Sequence, residues 1–336
     1  MQSFYKELKK IIHDFLFFLS TKKAPRSIFS ARLGYQTSRI IIFSIQESIF
    51  RAFNRKSIMP ILKENKIKLS KKSEFFKAKL DLNKEYIKFL KNLLLSNENN
   101  KNLETFDYKQ NSKNKIEKNK INLREAHYVS NKLHSVGGIE GNLKNHESNI
   151  SQYLPLDIKD VGDLDQLFKS IGANKFLRIA SFMAGYPLQF SDLLFSINKS
   201  LGSNRNEHWH SDTFHSIIKG FIYLNEVEIA DSPFEYCENS ADLKNVLEVH
   251  QSWLKKFYEK TVTNPESPRL TNQSQLDKTN NNKISFIGEP GTLTVANTLG
   301  LHRKGEDKSS KERWLLYFEF KRHSLLERIL RIFFKN

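Results

Sequence analysis

Glu207-His208-Trp209-His210-Ser211-Asp212 is the stretch from which the rest of the chain can be read. In an extended segment side chains alternate between two faces, so residues 208, 210 and 212 share one side. His210 and Asp212 can therefore reach one ion together. Two imidazoles and one carboxylate can occupy one face of an Fe(II) ion and leave the opposite positions open. The second imidazole must come from another strand. His302 follows a strand-like run, Thr292-Leu293-Thr294-Val295-Ala296-Asn297, and is well placed for it. His208 is a rival ligand, but the pairing with Asp212 favours His210.

The supporting pattern is longer than the ligands. After Trp209-His210-Ser211-Asp212 come Gly220-Phe221-Ile222-Tyr223-Leu224-Asn225-Glu226-Val227 and Ser232-Pro233-Phe234-Glu235-Tyr236. Gly291-Thr292-Leu293, Gly300-Leu301-His302-Arg303 and finally Arg313 complete it. In order and spacing this series resembles the phytanoyl-CoA dioxygenase family of Fe(II)- and 2-oxoglutarate-dependent oxygenases, from about residue 177 to 320. An isolated His-x-Asp would be far less specific. The chain departs from the family at Cys237-Glu238-Asn239-Ser240-Ala241, where many relatives carry a Pro-Gly-Ser-His turn, and its N-terminal third has no counterpart.

The resemblance implies a mainly β protein with flanking helices (α+β), built on a double-stranded β-helix (jelly-roll, cupin-like) core. It implies Fe(II) at His210, Asp212 and His302, with 2-oxoglutarate and O₂ as cosubstrates. Arg313 would bind the distal carboxylate of 2-oxoglutarate, and the planar guanidinium fork suits that task. Arg313 as an ion-pair partner of Glu312 or Glu319 is the plainer alternative. Tyr223 is a weaker candidate for the same pocket. Trp209 is a weak candidate for the substrate pocket and more often a packing residue. The activity implied is decarboxylation of 2-oxoglutarate to succinate and CO₂ coupled to hydroxylation of a small or lipid-like molecule; a retained Asp212 points away from halogenation.

The remaining sequence sets limits. With 336 residues and 39% hydrophobic side chains the chain can bury a core. Its one cysteine, Cys237, excludes an internal disulfide framework and fits a reducing compartment. Lys and Arg outnumber Asp and Glu by 54 to 37, a formal net charge of +17. Nearly all of the excess lies in residues 1–150, which raises the prospect of an anionic partner. A solvated Lys- and Asn-rich surface is the plainer reading, and no clear nucleic-acid motif is present. No window reaches the ~18 apolar residues of a spanning helix. Asp14 interrupts the apolar run at residues 11–19, which argues against a signal peptide, so a cytoplasmic location is expected.

Four segments are expected: a basic helical segment (1–95), a polar Lys/Asn-rich linker or mobile loop (96–150), the oxygenase domain (151–322) and a basic amphipathic C-terminal helix (323–336). Helices are predicted over 4–20, 37–53 with a break at Pro60, and about 73–95. The first could make weak contact with an anionic membrane surface. Further helices are predicted at 163–170, 173–184 and 244–258, and strands at 193–197, 207–212, 217–227, 284–286, 291–296 and 314–320. The stretch 261–282 carries Asn-Pro and Ser-Pro breakers and reads as a loop between two metal ligands, where it could cover the site. Leu325–Phe334 could touch a membrane, but closing over the end of the domain is the plainer reading.

Overall fold

A computed structural model describes residues 29–70, 72–98, 151–156, 158–200, 208–258, 267–270, 282–306, 308–309 and 311–334. The expected helix at 4–20, residues 99–150 and most of the 261–282 loop lie outside the described residues. The N-terminal part contains α1 (Phe29–Glu64), β1 (Phe75–Lys79) and α2 (Lys84–Glu98). Next come β2 (Ser151–Leu156), two single-turn helices, α3 (Ile158–Val161) and α4 (Leu164–Leu167), then α5 (Ala173–Ala184) and β3 (Leu193–Ser200). The strands β4 (Trp209–His210), β5 (Ile218–Tyr223) and β6 (Phe234–Cys237) lead to α6 (Leu243–Tyr258) and β7 (Arg269–Leu270). The chain continues with β8 (Lys283–Phe286), β9 (Thr292–Asn297), β10 (His302–Lys304), β11 (Arg313–Phe320) and α7 (Leu325–Phe334).

The strands form two antiparallel sheets, in the orders β1-β9-β5-β11-β3-β2 and β7-β4-β10-β6-β8. From β3 onward the chain passes back and forth between them, with β3, β5, β9 and β11 in one and β4, β6, β8 and β10 in the other. That alternation makes the core a double-stranded β-helix. The continuous apolar run of β11 follows from burial on both faces. Its even residues, Trp314, Leu316, Phe318 and Phe320, join the large core under the helices. Its odd residues Leu315 and Tyr317 turn inward, beside Tyr223 and Phe221 of β5.

Helix α5 lies where its apolar spacing predicts and buries Phe176, Ile179, Ala180 and Met183. Phe176 stacks on Phe168 at 4.0 Å and meets Phe318 edge-on at 5.6 Å. Gly185 ends the helix in the left-handed region, φ 78°, donating its N–H to the Ser181 carbonyl. A Cβ at Gly185 would also fall 2.4 Å from Glu47 Cβ, so glycine is needed there for both conformation and space.

Two expectations in the N-terminal region fail. The helix predicted from about residue 73 is instead β1, followed by α2. β1 pairs with β9 from Phe75↔Ala296 to Lys79↔Thr292, covering what would be an open sheet edge and burying Phe76 completely. The break predicted at Pro60 does not occur, and α1 runs on to Glu64. Pro60 sits on the exposed side, where the carbonyl freed by its missing N–H can meet water, while Ile58, Ile61 and Leu62 are buried around it. Residues of α1, β1 and α2 thus share one core with residues after 151.

Candidate metal centre

β4 and β10 are neighbours, and their register sets His302 opposite His210. Asp212 lies just beyond β4, its N–H donated to the Thr298 carbonyl. His210 Nε2 is 3.7 Å from one carboxylate oxygen of Asp212 and His302 Nε2 is 3.6 Å from the other. The candidate ligand atoms all lie within 4.8 Å of one another. Each imidazole is held the same way: His210 Nδ1 meets the His208 carbonyl and His302 Nδ1 meets the Gly300 carbonyl, both at 2.9 Å. With Nδ1–H donated to backbone, Nε2 keeps its lone pair for a cation, an arrangement usual for metal-bound histidines.

The electrostatics suit a cation. Burial, and the nearness of the two rings to each other, hold His210 well below the ordinary histidine value; burial lowers His302 as well. Both are therefore neutral donors. Burial would push the Asp212 carboxyl up, but the Lys219 ammonium holds it well below the usual carboxylate range. Two neutral nitrogens and a carboxylate within this spread fit a first-row divalent ion with ligands at ~2.1 Å. A small inward adjustment of side chains completes such a site.

Lys219 is the neighbour that sequence reasoning missed. Its Nζ lies 2.8 Å from Asp212 Oδ2 and 3.6 Å from Glu319 Oε2. Burial opposes its charge, but the two carboxylates prevail and keep the ammonium protonated. A signal was present: Lys219 alternates with Phe221 and Tyr223 on a strand whose inward positions are otherwise aromatic. An aromatic wall runs from the imidazoles back to it. Phe234 lies 5.7 Å from the His302 ring and 4.5 Å from Phe221, which is 5.5 Å from Tyr317. Tyr317 donates to Glu319 at 2.5 Å.

The other predicted residues fall in two places. Arg313 begins β11 and Tyr223 ends β5, with Leu315 paired to Tyr223 and Glu319 to Lys219. Arg313 and Tyr223 therefore share the end of the inner face away from the candidate ligands, four strand residues or roughly 13 Å of backbone from Lys219. Burial raises the Tyr223 phenol while the charge of Arg313 opposes that rise. Arg313 donates to the Ser232 carbonyl. The Tyr223 hydroxyl donates to the Phe286 carbonyl at 2.5 Å and receives the Phe234 N–H at 3.4 Å, so it ties three strands together. Trp209 packs with Cys237 and Leu301, on the side of β4 away from His210, and Arg303 lies 4.9 Å over its ring. His208 is exposed and contributes its carbonyl only.

Part of the expected loop is a strand. β7 pairs with β4, setting Arg269 opposite His210, and Ser211 donates its N–H to the Pro268 carbonyl while Ser267 donates to the Ser211 carbonyl. The segment after Pro268 thus forms one wall of the strand that carries His210.

No family model matches the chain, and no curated protein matches it. Among solved structures the chain is similar to AviO1 from Streptomyces viridochromogenes Tue57, at 10% identity and TM-score 0.36 over 75% of this chain and 90% of that one. It is similar to the epimerase SnoN in complex with Fe3+, alpha ketoglutarate and nogalamycin RO, at 12% and 0.34 over 58% and 73%. A third likeness is to EctD from S. alaskensis in its apoform, at 10% and 0.38 over 74% and 73%. At these identities and TM-scores the chemistry of the centre rests on its own geometry.

Proposed function

We propose that the chain is an Fe(II)- and 2-oxoglutarate-dependent dioxygenase that hydroxylates a small or lipid-like organic molecule, converting 2-oxoglutarate to succinate and CO₂. The observation that carries this reading is the buried cluster of His210, Asp212 and His302, with both Nε2 atoms within 3.7 Å of one carboxylate. Fe(II) held there would supply the redox chemistry with O₂. Three side chains of this kind would leave one side of a bound ion to cosubstrates, and the Nδ1 bonds hold the rings so that only a small adjustment is needed on binding. Arg313, at the other end of the inner face, offers a bidentate donor for the far carboxylate of a five-carbon keto-diacid. Phe221, Phe234 and Tyr317 between these ends exclude water from the interior and strengthen the charge interactions.

The position of Lys219 favours a second reading. An ammonium 2.8 Å from Asp212 already neutralises the carboxylate and could stand in place of a metal, leaving an inactive jelly-roll binding protein. One experiment separates the two. Anaerobic protein is titrated with Fe(II) and 2-oxoglutarate while the weak visible absorption of the iron–keto-acid chelate is followed, beside His210→Ala and Arg313→Ala. The dioxygenase reading expects a band that His210→Ala abolishes and that needs far more 2-oxoglutarate in Arg313→Ala. A folded wild type that takes up neither iron nor 2-oxoglutarate supports the second reading instead.

A further inference from the structure

Helix α7 is seated on two arginines, with Leu325 and Ile332 packed inward beside them. Arg328 is fully buried. It donates to Glu47 at 3.0 Å and to the Ser216 carbonyl at 2.9 Å, and its Nη2 lies 3.0 Å from His215 Nδ1. Its guanidinium lies 4.2 Å over the Tyr186 ring and 4.7 Å over Phe43. One turn on, Arg331 reaches both carboxylate oxygens of Asp192. The opposite face is left to solvent: Leu326 is 66% exposed, Phe333 75% and Phe334 79%, with Ile329 and Leu330 also open. A helix that serves its own domain shows the reverse arrangement, apolar side in and polar side out.

The adjoining helix repeats the feature. On α1, Ile42, Ile45, Ile49 and Phe53 recur at helical spacing and are all exposed, Phe53 by 83%. The exposed charge beside both apolar stripes is mainly basic. Before Glu64 the only acidic residue of α1 is Glu47, which is buried against Arg328, Arg51 and Ser216, whereas Arg55 and Lys56 are exposed. The only acidic residue of α7, Glu327, folds back on Ser324, and Lys321 and Arg322 precede the helix.

We propose that α7, with the neighbouring stripe of α1, docks the protein onto an anionic lipid surface. Exposed apolar side chains with cations close by are what an interfacial helix presents to lipid headgroups. The net charge of +17 attracts an anionic bilayer and opposes a second copy of the same chain. The C-terminal helix, expected to close over the end of the domain, does so through its arginines, Leu325 and Ile332 and leaves five apolar side chains outward. No described helix is long and apolar enough to cross a membrane, so the contact is peripheral.

The test is co-sedimentation of the full chain with vesicles of phosphatidylcholine alone and of phosphatidylcholine mixed with phosphatidylglycerol. Phe333→Ser/Phe334→Ser and Leu326→Ser/Leu330→Ser are run alongside, with circular dichroism to confirm folding; the sites are exposed, so the fold should be retained. The expected result is partition onto the mixed vesicles, weaker on phosphatidylcholine alone and at high salt, and reduced at least about tenfold by each double variant. Wild type that stays in solution, or partition that the variants leave unchanged, overturns the proposal. So does vesicle-independent self-association that the variants abolish, which would assign the face to a second copy. A lowered Tm in the variants without vesicle binding by wild type would assign it to the chain's own N-terminal residues.

Discussion

The ammonium of Lys219 and a divalent ion would compete for the same carboxylate. Two cations within a few ångströms in a poorly hydrated site repel by more than about 1 kcal/mol. Lys219→Met is therefore expected to tighten Mn(II) binding by at least about tenfold, read by titration calorimetry under anaerobic conditions. An unchanged or weaker affinity would mean that Lys219 assists the site by holding Asp212 ionised. Gly185 poses a different test. Its left-handed φ, and the 2.4 Å that would separate an added methyl group from Glu47, mean that Gly185→Ala should cost about 2 kcal/mol or more in urea unfolding. A loss below about half a kcal/mol would show that α1 yields easily at this contact. That His210, Asp212 and His302 could meet was legible in the sequence, through the resemblance of the motif that carries them, and the fold does bring the three together. Lys219 was not legible, because its meaning depends on the strand face that Asp212 approaches.

At the scale of elements, β1 is tied to the opposite sheet by Glu74. Its carboxylate accepts the backbone N–H groups of Asn239 at 2.7 Å and Ala241 at 3.0 Å. Burial nonetheless pushes Glu74 from an ordinary value of 4.5 up to about 7. A carboxyl with a folded pKa above its unfolded one contributes stability that is full below pH 4.5 and is lost as the pH rises through 7. The difference in unfolding free energy between wild type and Glu74→Gln should therefore fall by on the order of 3 kcal/mol across that window. A difference independent of pH would mean that the two N–H donors keep Glu74 ionised throughout. Comparison with the variant matters, since burial lowers His215 and brings His250 down to about 4; neutral buried histidines weaken the fold as the pH falls. The first part of the helix predicted over residues 73–95, which forms β1 while Lys84–Glu98 is helical, was misread for a reason at this scale. Helical spacing in a short apolar stretch cannot register that an unpaired β9 edge lies nearby, and pairing with that edge outweighs local propensity.

For the whole molecule, β1 completes the six-stranded sheet, and Ile58, Ile61, Phe76, Leu80, Leu90 and Leu94 belong to the same core as Phe176 and Phe318. Glu47 of α1 meets Arg328 of α7 with both groups buried, and removing either partner from such a pair typically costs about 3–5 kcal/mol. Residues 151–336 alone should accordingly show no cooperative unfolding transition, whereas the full chain should unfold in one step, as followed by circular dichroism in urea. A fragment with its own sharp transition would show that the segment expected at 151–322 folds independently.

The sequence by itself pointed to the candidate ligand set and the β-helix core through the motif's resemblance, and it determined the extents of α5, α6 and α7, because these rest on local spacing and side-chain periodicity. Only the tertiary structure decided which faces were turned inward. Lys219 was brought to Asp212, Trp209 was turned away from the centre, β1 was drawn from a helical reading into the sheet, and α7 was seated on its arginines. Each of these outcomes depends on a partner far away in the chain, whose charge or unpaired backbone outweighs the preference of the local segment.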